Sequence, residues 1–246
     1  MDASTGAAPG AALPARSVRP AARVLAWDCD GVLVDTEAAD AKAWIEAFAA
    51  AGVALAPERY AAFWAAWGAH RRVPMIERLR RAAPQLSAGE LAALAARRAE
   101  RYQQLCAGLP ARAGVRSWLA QARLLGITSV LATNNLRAPE HLDRLGLGRY
   151  FAAVVTAGGL RPKPSPDVYE VALQAVGATA AEAVAVEDSP HGLAAARTAG
   201  LATLALPTPT VSAHLPLAAD ATVAHPAAHH LREALATLPR ARTARG

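Results

Sequence analysis

Two aspartates, Asp28 and Asp30, lie two residues apart where an apolar run, Val24–Trp27, comes to an end. A strand projects residues i and i+2 to the same side, and Gly31 indicates that the backbone leaves the strand there. Two carboxylates this close repel each other unless a cation or a shared proton compensates their charge. Mg²⁺ prefers oxygen ligands of this kind. The pair predicts a metal site, and the alternative is an acidic turn or helix N-cap after a buried strand.

Three later apolar runs also end in polar side chains. Thr133 and Asn134 could donate hydrogen bonds to phosphoryl oxygens, although such residues also form turns. Lys163 lies in a proline-rich loop of a chain with 24 arginines and two lysines. Its compact ammonium suits a phosphorylated carboxylate, and a solvated loop lysine is the alternative. Glu187 and Asp188 could bind metal or cap a helix. Ligands of open α/β sheets bind beyond the carboxyl ends of the strands, so we expect these groups to meet.

The elements that must position these groups alternate between strands and helices, which is typical of a parallel α/β sheet. Strands are predicted at 24–27, 127–132, 153–156, 183–186 and 202–206, with a weaker one at 221–223. Helices between them are predicted at about 115–125, 138–145, 166–176 and 191–199.

Four segments resemble the motifs of the haloacid dehalogenase (HAD) superfamily, in the order in which that family carries them. They are DCDGVLVDTE at 28–37, TNN at 133–135, KPSPDVY at 163–169 and EDSPHGLAAARTAG at 187–200. The resemblance is strongest to the helical-cap branch of sugar-phosphate phosphatases and β-phosphoglucomutases, over about residues 24–210. It implies a Mg²⁺-dependent phosphatase that hydrolyses a small phosphorylated metabolite, with a sugar phosphate as the expected substrate, through an aspartyl-phosphate intermediate.

The resemblance also assigns roles to the candidate residues. Asp28 is the expected nucleophile, and Asp30 is the expected acid and base, which protonates the leaving oxygen and then activates water. The groups expected to hold the phosphoryl oxygens, where transition-state charge develops, are Thr133, Asn134 and Lys163. The expected magnesium ligands are Asp28, the backbone carbonyl of Asp30, Asp188 and Glu187.

Residues 38–107 interrupt the alternation of strands and helices, because they contain helical patterns without a strand-like run. Ser87 and Glu90 precede the apolar residues Leu91 and Leu94, and so predict a capping box that opens a long helix. The predicted fold is α/β, a Rossmann-like parallel sheet core with an inserted α-helical cap domain. The core is expected at 23–37 and 108–238, the cap at 38–107, a flexible leader at 1–22 and a basic tail at 239–246.

Three residues near or within the predicted cap concern the substrate. Glu37, which belongs to the predicted hinge into the cap at 36–40, is a candidate for substrate binding. Arg71 is another, because Gly68-Ala69-His70-Arg71 fits the G-x-x-R loop of this branch; a solvated arginine-rich helix face is the alternative. Asp40 occupies the place where mutases of the branch carry a histidine, and a carboxylate cannot act there as the same donor. This difference favours hydrolysis over the alternative activity, a β-phosphoglucomutase-like phosphomutase.

Charge and composition argue against some classes of protein. The formal net charge is +6, but +5 of it lies in residues 1–23 and 240–246, so the nearly neutral body gives little support to a nucleic-acid partner. No apolar run is long enough for a membrane span, and the N-terminal residues lack the apolar segment of a secretory signal. We expect a cytoplasmic monomer whose partner is a small phosphorylated molecule, although an organellar transit peptide stays open.

Two questions stay open at the level of the sequence. A non-catalytic HAD-like protein with a binding or regulatory role is the alternative from another class, and the intact set of Asp28, Asp30, Lys163 and Asp188 argues against it. The substrate is not determined, since hexose and pentose phosphates, 2-phosphoglycolate and sugar bisphosphates are all candidates for this branch.

Overall fold

The computed structural model describes residues 22–56, 74–208 and 217–238, together with Tyr60 and Phe63. The strands in this part of the chain are β1 Val24–Trp27, β2 Thr128–Thr133, β3 Phe151–Thr156, β4 Ala183–Glu187, β5 Ala202–Ala205 and β6 Ala221–Thr222. They form one parallel sheet in the order β3-β2-β1-β4-β5-β6. The predicted parallel sheet is confirmed. The predicted basic tail, and the predicted leader apart from its last residue, lie outside the described residues.

Between β1 and residue 107 the described residues form helices and no strand. The helices are α1 Glu37–Ala50, α2 Met75–Ala82 and α3 Ala88–Cys106. They bury an apolar cluster of their own, which includes Trp44, Phe48, Leu79 and Leu94. The predicted capping box is present, because Ser87 and Glu90 each accept a hydrogen bond from the other's backbone N–H. These helices fit the predicted cap, whose bounds at 38 and 107 stay a prediction.

The other helices cover both faces of the sheet. They are α4 Val115–Leu124, α5 Ala138–Leu145, α6 Asp167–Ala175, α7 Pro190–Thr198 and α8 Leu231–Ala236. Successive residues of a strand point to opposite faces. Leu25 and Trp27 of β1 therefore pack with α4, α5 and α8, and Val24 and Ala26 pack with α6 and α7. No described helix, the 19-residue α3 included, is both long and apolar enough to cross a membrane.

The carboxyl ends of three neighbouring strands bring the chemistry to one edge of the sheet. β1 pairs with β2 on one side and with β4 on the other. Asp28 directly follows β1, Thr133 is the last residue of β2, and Glu187 is the last residue of β4. The predicted meeting of these segments beyond the strand ends is therefore found in the structure.

Candidate active site

A tight turn after β1 carries Asp28 and Asp30. The Asp28 backbone N–H donates to the Val186 carbonyl oxygen over 3.0 Å, and the Gly31 N–H donates to the Val34 carbonyl oxygen over 2.7 Å. Gly31 has a φ of +78°, which L-residues with a side chain rarely adopt. A Cβ atom there would lie 1.8 Å from Oδ2 of Asp188. Glycine at this position therefore allows the turn to pack directly against the Asp188 carboxylate.

The Lys163 ammonium lies between two carboxylates. Its Nζ donates to Oδ1 of Asp28 over 2.7 Å and to Oε1 of Glu187 over 2.6 Å, and all three side chains are buried. Burial alone would lower the pKa of Lys163, but the charges of Asp28 and Glu187 outweigh it and raise that pKa above its usual value. Asn134 fixes this loop, since its Oδ1 accepts from the Lys163 backbone N–H over 2.8 Å. Lys163 is thus held as a cation beside Asp28.

Glu187 is wholly buried, and both of its carboxylate oxygens accept hydrogen bonds. Besides Lys163, the Tyr169 hydroxyl donates to Oε1 over 2.6 Å. The Asp188 backbone N–H and the Ser189 hydroxyl donate to Oε2 over 3.2 and 3.4 Å. Burial raises the pKa of Glu187, and the charge of Lys163 opposes this effect. Glu187 therefore orients Lys163 and Tyr169 as well as adding negative charge to the site.

Three buried carboxylates form a group that could hold a cation. Asp28, Glu187 and Asp188 each offer an oxygen, and these oxygens lie within 4.8 Å of one another. Burial raises the pKa of Asp188 well above its usual value, and repulsion from Glu187 and Asp28 adds to this. An all-oxygen set of anionic groups is what Mg²⁺ takes in proteins, and a divalent cation would remove the repulsion. The donor chemistry therefore fits the predicted magnesium site.

Asp30 lies beside this group in a different environment. The Asn135 side-chain amide donates to Oδ1 of Asp30 over 3.2 Å, and the Tyr102 hydroxyl lies 3.4 Å from the same oxygen. Removal from water, followed by repulsion from Asp28, raises the pKa of Asp30 to about 6. A carboxyl group with such a pKa can both give and take a proton near neutral pH. Asp28 and Asp30 are the same type of residue, but the fold thus places them in different environments.

A cavity of about 240 Å³ separates the sheet edge from helices α1 and α3. From the sheet side it is lined by Asp28, Asp30, Thr133, Asn134, Lys163 and Asp188. From the helices it is lined by Glu37, Asp40, Arg98 and Tyr102. Asp40 forms an ion pair with Arg98 and accepts from the Tyr60 hydroxyl over 2.7 Å. This cavity is the place where a phosphorylated molecule could reach Asp28.

Most of the residues predicted from the sequence for this site lie together in the structure. Arg71 lies outside the described residues, so its role stays a prediction. The sequence also suggested that Glu187 or Asp188 caps helix α7. The N-cap in the structure is Ser189, whose hydroxyl accepts from the Gly192 N–H over 3.0 Å. This leaves the Asp188 carboxylate facing the cavity.

The site also contains residues that were not predicted from the sequence, among them Arg98, Tyr102, Asn135 and Tyr169. Tyr169 belongs to the segment KPSPDVY and Asn135 to TNN, so both could have been found from those motifs. Arg98 and Tyr102 lie four residues apart on α3, which places them on the same face of the helix. No sequence signal shows that this face meets Asp30.

The fold and the site together define a class of hydrolase. Its features are a parallel sheet, a helical insertion, and a buried lysine among carboxylates at the carboxyl edge of the sheet. Residues 22–200 match the family model described as haloacid dehalogenase-like hydrolase. The chain belongs to this family. Two relatives carry phosphatase in their names, YhcW of Bacillus subtilis and YqaB of Escherichia coli. Together with the family match, this makes the chain a phosphatase, an enzyme that hydrolyses phosphoric monoesters.

Sequence and structure comparisons agree on this relationship. The plasmid protein CbbY of Cupriavidus necator is 34% identical over 211 residues, which cover 76% of this chain and 78% of the relative. The fructose-1-phosphate phosphatase YqaB of Escherichia coli is 29% identical over 72% of this chain and 92% of its own length. The crystal structure of CbbY from Rhodobacter sphaeroides with phosphate superposes with a TM-score of 0.66 at 28% identity, over 84% of this chain and 95% of that one.

Proposed function

We propose that this phosphatase is Mg²⁺-dependent and hydrolyses a small phosphorylated metabolite of the sugar phosphate class through an aspartyl-phosphate intermediate on Asp28. One observation carries the proposal: Lys163 donates to Asp28 over 2.7 Å beside a group of buried carboxylates. The ammonium pairs with the Asp28 carboxylate, and it attracts the phosphoryl group to the same place.

In the first step an oxygen of Asp28 attacks phosphorus in line with the leaving oxygen. Lys163 and Asn134 donate to the phosphoryl oxygens. Thr133 can do the same, because its hydroxyl oxygen accepts from the Asn135 backbone N–H over 3.2 Å and its own hydrogen remains to be donated. Such fixed donors stabilise the charge that develops in the transition state, which is usually the largest contribution to catalysis.

Asp30 moves the protons. In its neutral form it protonates the leaving oxygen as the ester bond breaks. The carboxylate that results removes a proton from the water that hydrolyses the aspartyl phosphate. The pKa of about 6 supports this double role, because both forms of the carboxyl group are accessible near neutral pH.

Asp28, Asp188 and the backbone carbonyl of Asp30 would hold the Mg²⁺, with Glu187 adding charge beside them. When bound, the metal ion would neutralise charge between the carboxylates and the phosphate. The close approach at Gly31 supports this assignment, since it keeps Asp188 against the turn that carries Asp28 and Asp30.

The names of relatives support a sugar phosphate as substrate. A mutant CbbY from Rhodobacter sphaeroides was crystallised with xylulose-(1,5)bisphosphate, and its structure has a TM-score of 0.65 at 25% identity. YqaB is named as a fructose-1-phosphate phosphatase. Glu37, which is buried against the cavity, and Arg71 are the proposed contacts to the leaving group. A cytoplasmic location and a monomeric state are part of the same proposal.

The second candidate function is a phosphomutase, and Asp40 argues against it. Its carboxylate is engaged by Arg98 and Tyr60. It is therefore not poised to act on Asp30 in the way that a histidine could. Incubation with β-glucose 1-phosphate separates the two activities. A phosphatase releases free phosphate, whereas accumulation of glucose 6-phosphate would establish the mutase.

Hydrolysis of p-nitrophenyl phosphate with and without Mg²⁺ tests the proposal, with Asp28→Asn as the variant. We expect metal-dependent hydrolysis that is lost in Asp28→Asn. The matched control is Asp143→Asn, since Asp143 is exposed on α5, away from the site. Equal hydrolysis by wild type and Asp28→Asn would refute the covalent route, and no hydrolysis by either would favour a non-catalytic binding protein.

A further inference from the structure

Oδ1 of Asp30 receives hydrogen bonds from two parts of the chain, and the Thr36 side chain is a further hydrogen-bond partner of the same carboxyl group. Asn135, in the loop after β2, donates to Oδ1 over 3.2 Å. Tyr102 belongs to α3, on the opposite side of the cavity, and its hydroxyl lies 3.4 Å from the same Oδ1. The distance from Tyr102 is long for an O–H···O hydrogen bond.

Two hydrogen bonds that come from opposite sides of the cavity restrict the orientation of the Asp30 carboxyl group. We propose that Tyr102 is a positioning residue for Asp30: together with Asn135 it keeps the carboxyl group in the orientation from which its proton reaches the leaving oxygen. This inference rests on the acid/base role proposed above for Asp30.

The surroundings of Tyr102 hold its ring in place beside Asp30. Its ring lies under the Arg98 guanidinium, whose central carbon is 4.5 Å from the ring centroid. Arg98 is in turn paired with Asp40 on α1. Burial, followed by the charge of Asp30, raises the pKa of Tyr102 above its usual value, so the phenol stays protonated. A connected set of side chains thus runs from Asp40 through Arg98 and Tyr102 to Asp30.

The step in which this matters is the transfer of the phosphoryl group to Asp28. The bond from Asp28 to phosphorus forms while the bond from phosphorus to the leaving oxygen breaks, and the leaving oxygen keeps the electron pair. The O–H bond of the Asp30 carboxyl group breaks at the same time, and its proton passes to the leaving oxygen. A basic leaving oxygen needs this proton, whereas p-nitrophenolate leaves without it. The contribution of Tyr102 should therefore depend on the basicity of the leaving group.

The test compares Tyr102→Phe with wild type on phenyl phosphate and p-nitrophenyl phosphate in the presence of Mg²⁺. These two substrates are similar in size, and kcat/KM reports the transfer to Asp28 for both. General acid catalysis as a whole typically raises a reaction rate by ~10²–10⁴-fold. Loss of one positioning contact should remove only part of this effect, so we expect kcat/KM to fall about tenfold for phenyl phosphate. For p-nitrophenyl phosphate we expect a fall of less than about twofold. Across substituted phenyl phosphates, the dependence on leaving-group basicity should become steeper.

Tyr150→Phe is the matched control, since it removes a phenol hydroxyl that contacts Arg149 at the surface. It should leave both substrates unaffected. An equal loss on both substrates in Tyr102→Phe would mean that the residue acts by packing alone, and no loss on either would mean that the hydroxyl has no role. Either result overturns the inference.

The p-nitrophenyl phosphate rate also reports whether Tyr102→Phe is folded and binds metal, so a folding defect cannot pass for the expected result. Asp30→Asn separates this inference from the proposed function. If Asp30→Asn hydrolyses phenyl phosphate as wild type does, the acid/base role of Asp30 fails. If Asp30→Asn loses that activity and Tyr102→Phe does not, Asp30 keeps its role and the positioning role of Tyr102 fails.

Discussion

The Lys163 ammonium nitrogen lies 2.7 Å from Oδ1 of Asp28, although 135 positions separate the two residues in the chain. The same nitrogen contacts Glu187. A buried ion pair is favourable only when its geometry is good and its remaining donors are used, and loss of one partner leaves an uncompensated charge. Lys163 therefore serves the stability of the site as well as its proposed chemistry.

Lys163→Met should lower the kcat of phosphatase activity by ~10²–10³-fold, comparable to the loss of one donor to a transition-state oxyanion. Lys163→Arg should also be impaired, because a planar guanidinium cannot replace a compact ammonium between two carboxylates. Steady-state kinetics on p-nitrophenyl phosphate, with thermal unfolding to confirm folding, provides the measurement. Wild-type activity in Lys163→Met would contradict the role of this contact.

Gly31→Ala tests the close approach to Asp188. The added Cβ would lie 1.8 Å from the Asp188 carboxylate, and the φ of +78° is unfavourable for alanine. Gly146→Ala is the matched control, since Gly146 has a φ of +61° and an added Cβ atom would have no neighbour within 4 Å. This control should lose only the free energy of unfolding that the backbone conformation costs alanine, ~1–2 kcal/mol. We expect Gly31→Ala to lose most of its activity and Gly146→Ala to lose stability only. Equal activity in the two variants would show that the carboxylate moves aside freely.

Addition of Mg²⁺ should raise the melting temperature of the wild-type protein, because a ligand that binds the folded state stabilises it by mass action, by ~2.7 kcal/mol at a hundred times the Kd. Asp188→Asn removes one carboxylate of the buried group, and it should reduce the rise in Tm strongly. The control Asp143→Asn should behave as wild type. Thermal unfolding over a series of Mg²⁺ concentrations provides the measurement, and an unchanged response in Asp188→Asn would exclude it as a ligand.

Glu182 links stability to pH at the base of the sheet. It accepts from the Thr179 backbone N–H and hydroxyl and from Arg23, and these bonds lower its pKa from 4.5 to about 2. A carboxylate whose pKa is lower in the folded state adds stability above its unfolded pKa, and this stability is lost as the pH falls through the folded value. Wild type should therefore unfold at a higher temperature than Glu182→Gln above pH ~5.

This difference in Tm should shrink as the pH is lowered towards 2, the folded value of Glu182. Thermal unfolding of both proteins across that range is the measurement. Glu182 is only half-buried and its partner Arg23 is exposed, so the whole effect should also be smaller at high salt. A difference in Tm that stays constant with pH would show that packing, and not the charge of Glu182, is responsible.

The order of elements and the residues at their ends could be predicted from the sequence. Helix α5 has the predicted bounds, β1 has the predicted bounds as well, and the predicted capping box at Ser87 is present. These features depend on local physics: hydrophobic periodicity, residues that cap helices, and glycines that permit turns. The family motifs lie on those local features, which is why the sequence alone places Asp28 and Asp188 at the carboxyl ends of strands.

The partners of each side chain were decided by the tertiary structure. Lys163 could have been a solvated loop lysine, and the packing of β1 against β4 is what buries it between Asp28 and Glu187. Helical spacing places Arg98 and Tyr102 on one face of α3 but does not say that this face meets Asp30. The physical reason is that a sequence specifies local conformation through neighbours in the chain, whereas burial, charge compensation and pKa depend on residues far apart in it. The sequence by itself thus determined which groups could do chemistry, and the fold decided which oxygen each donor reaches.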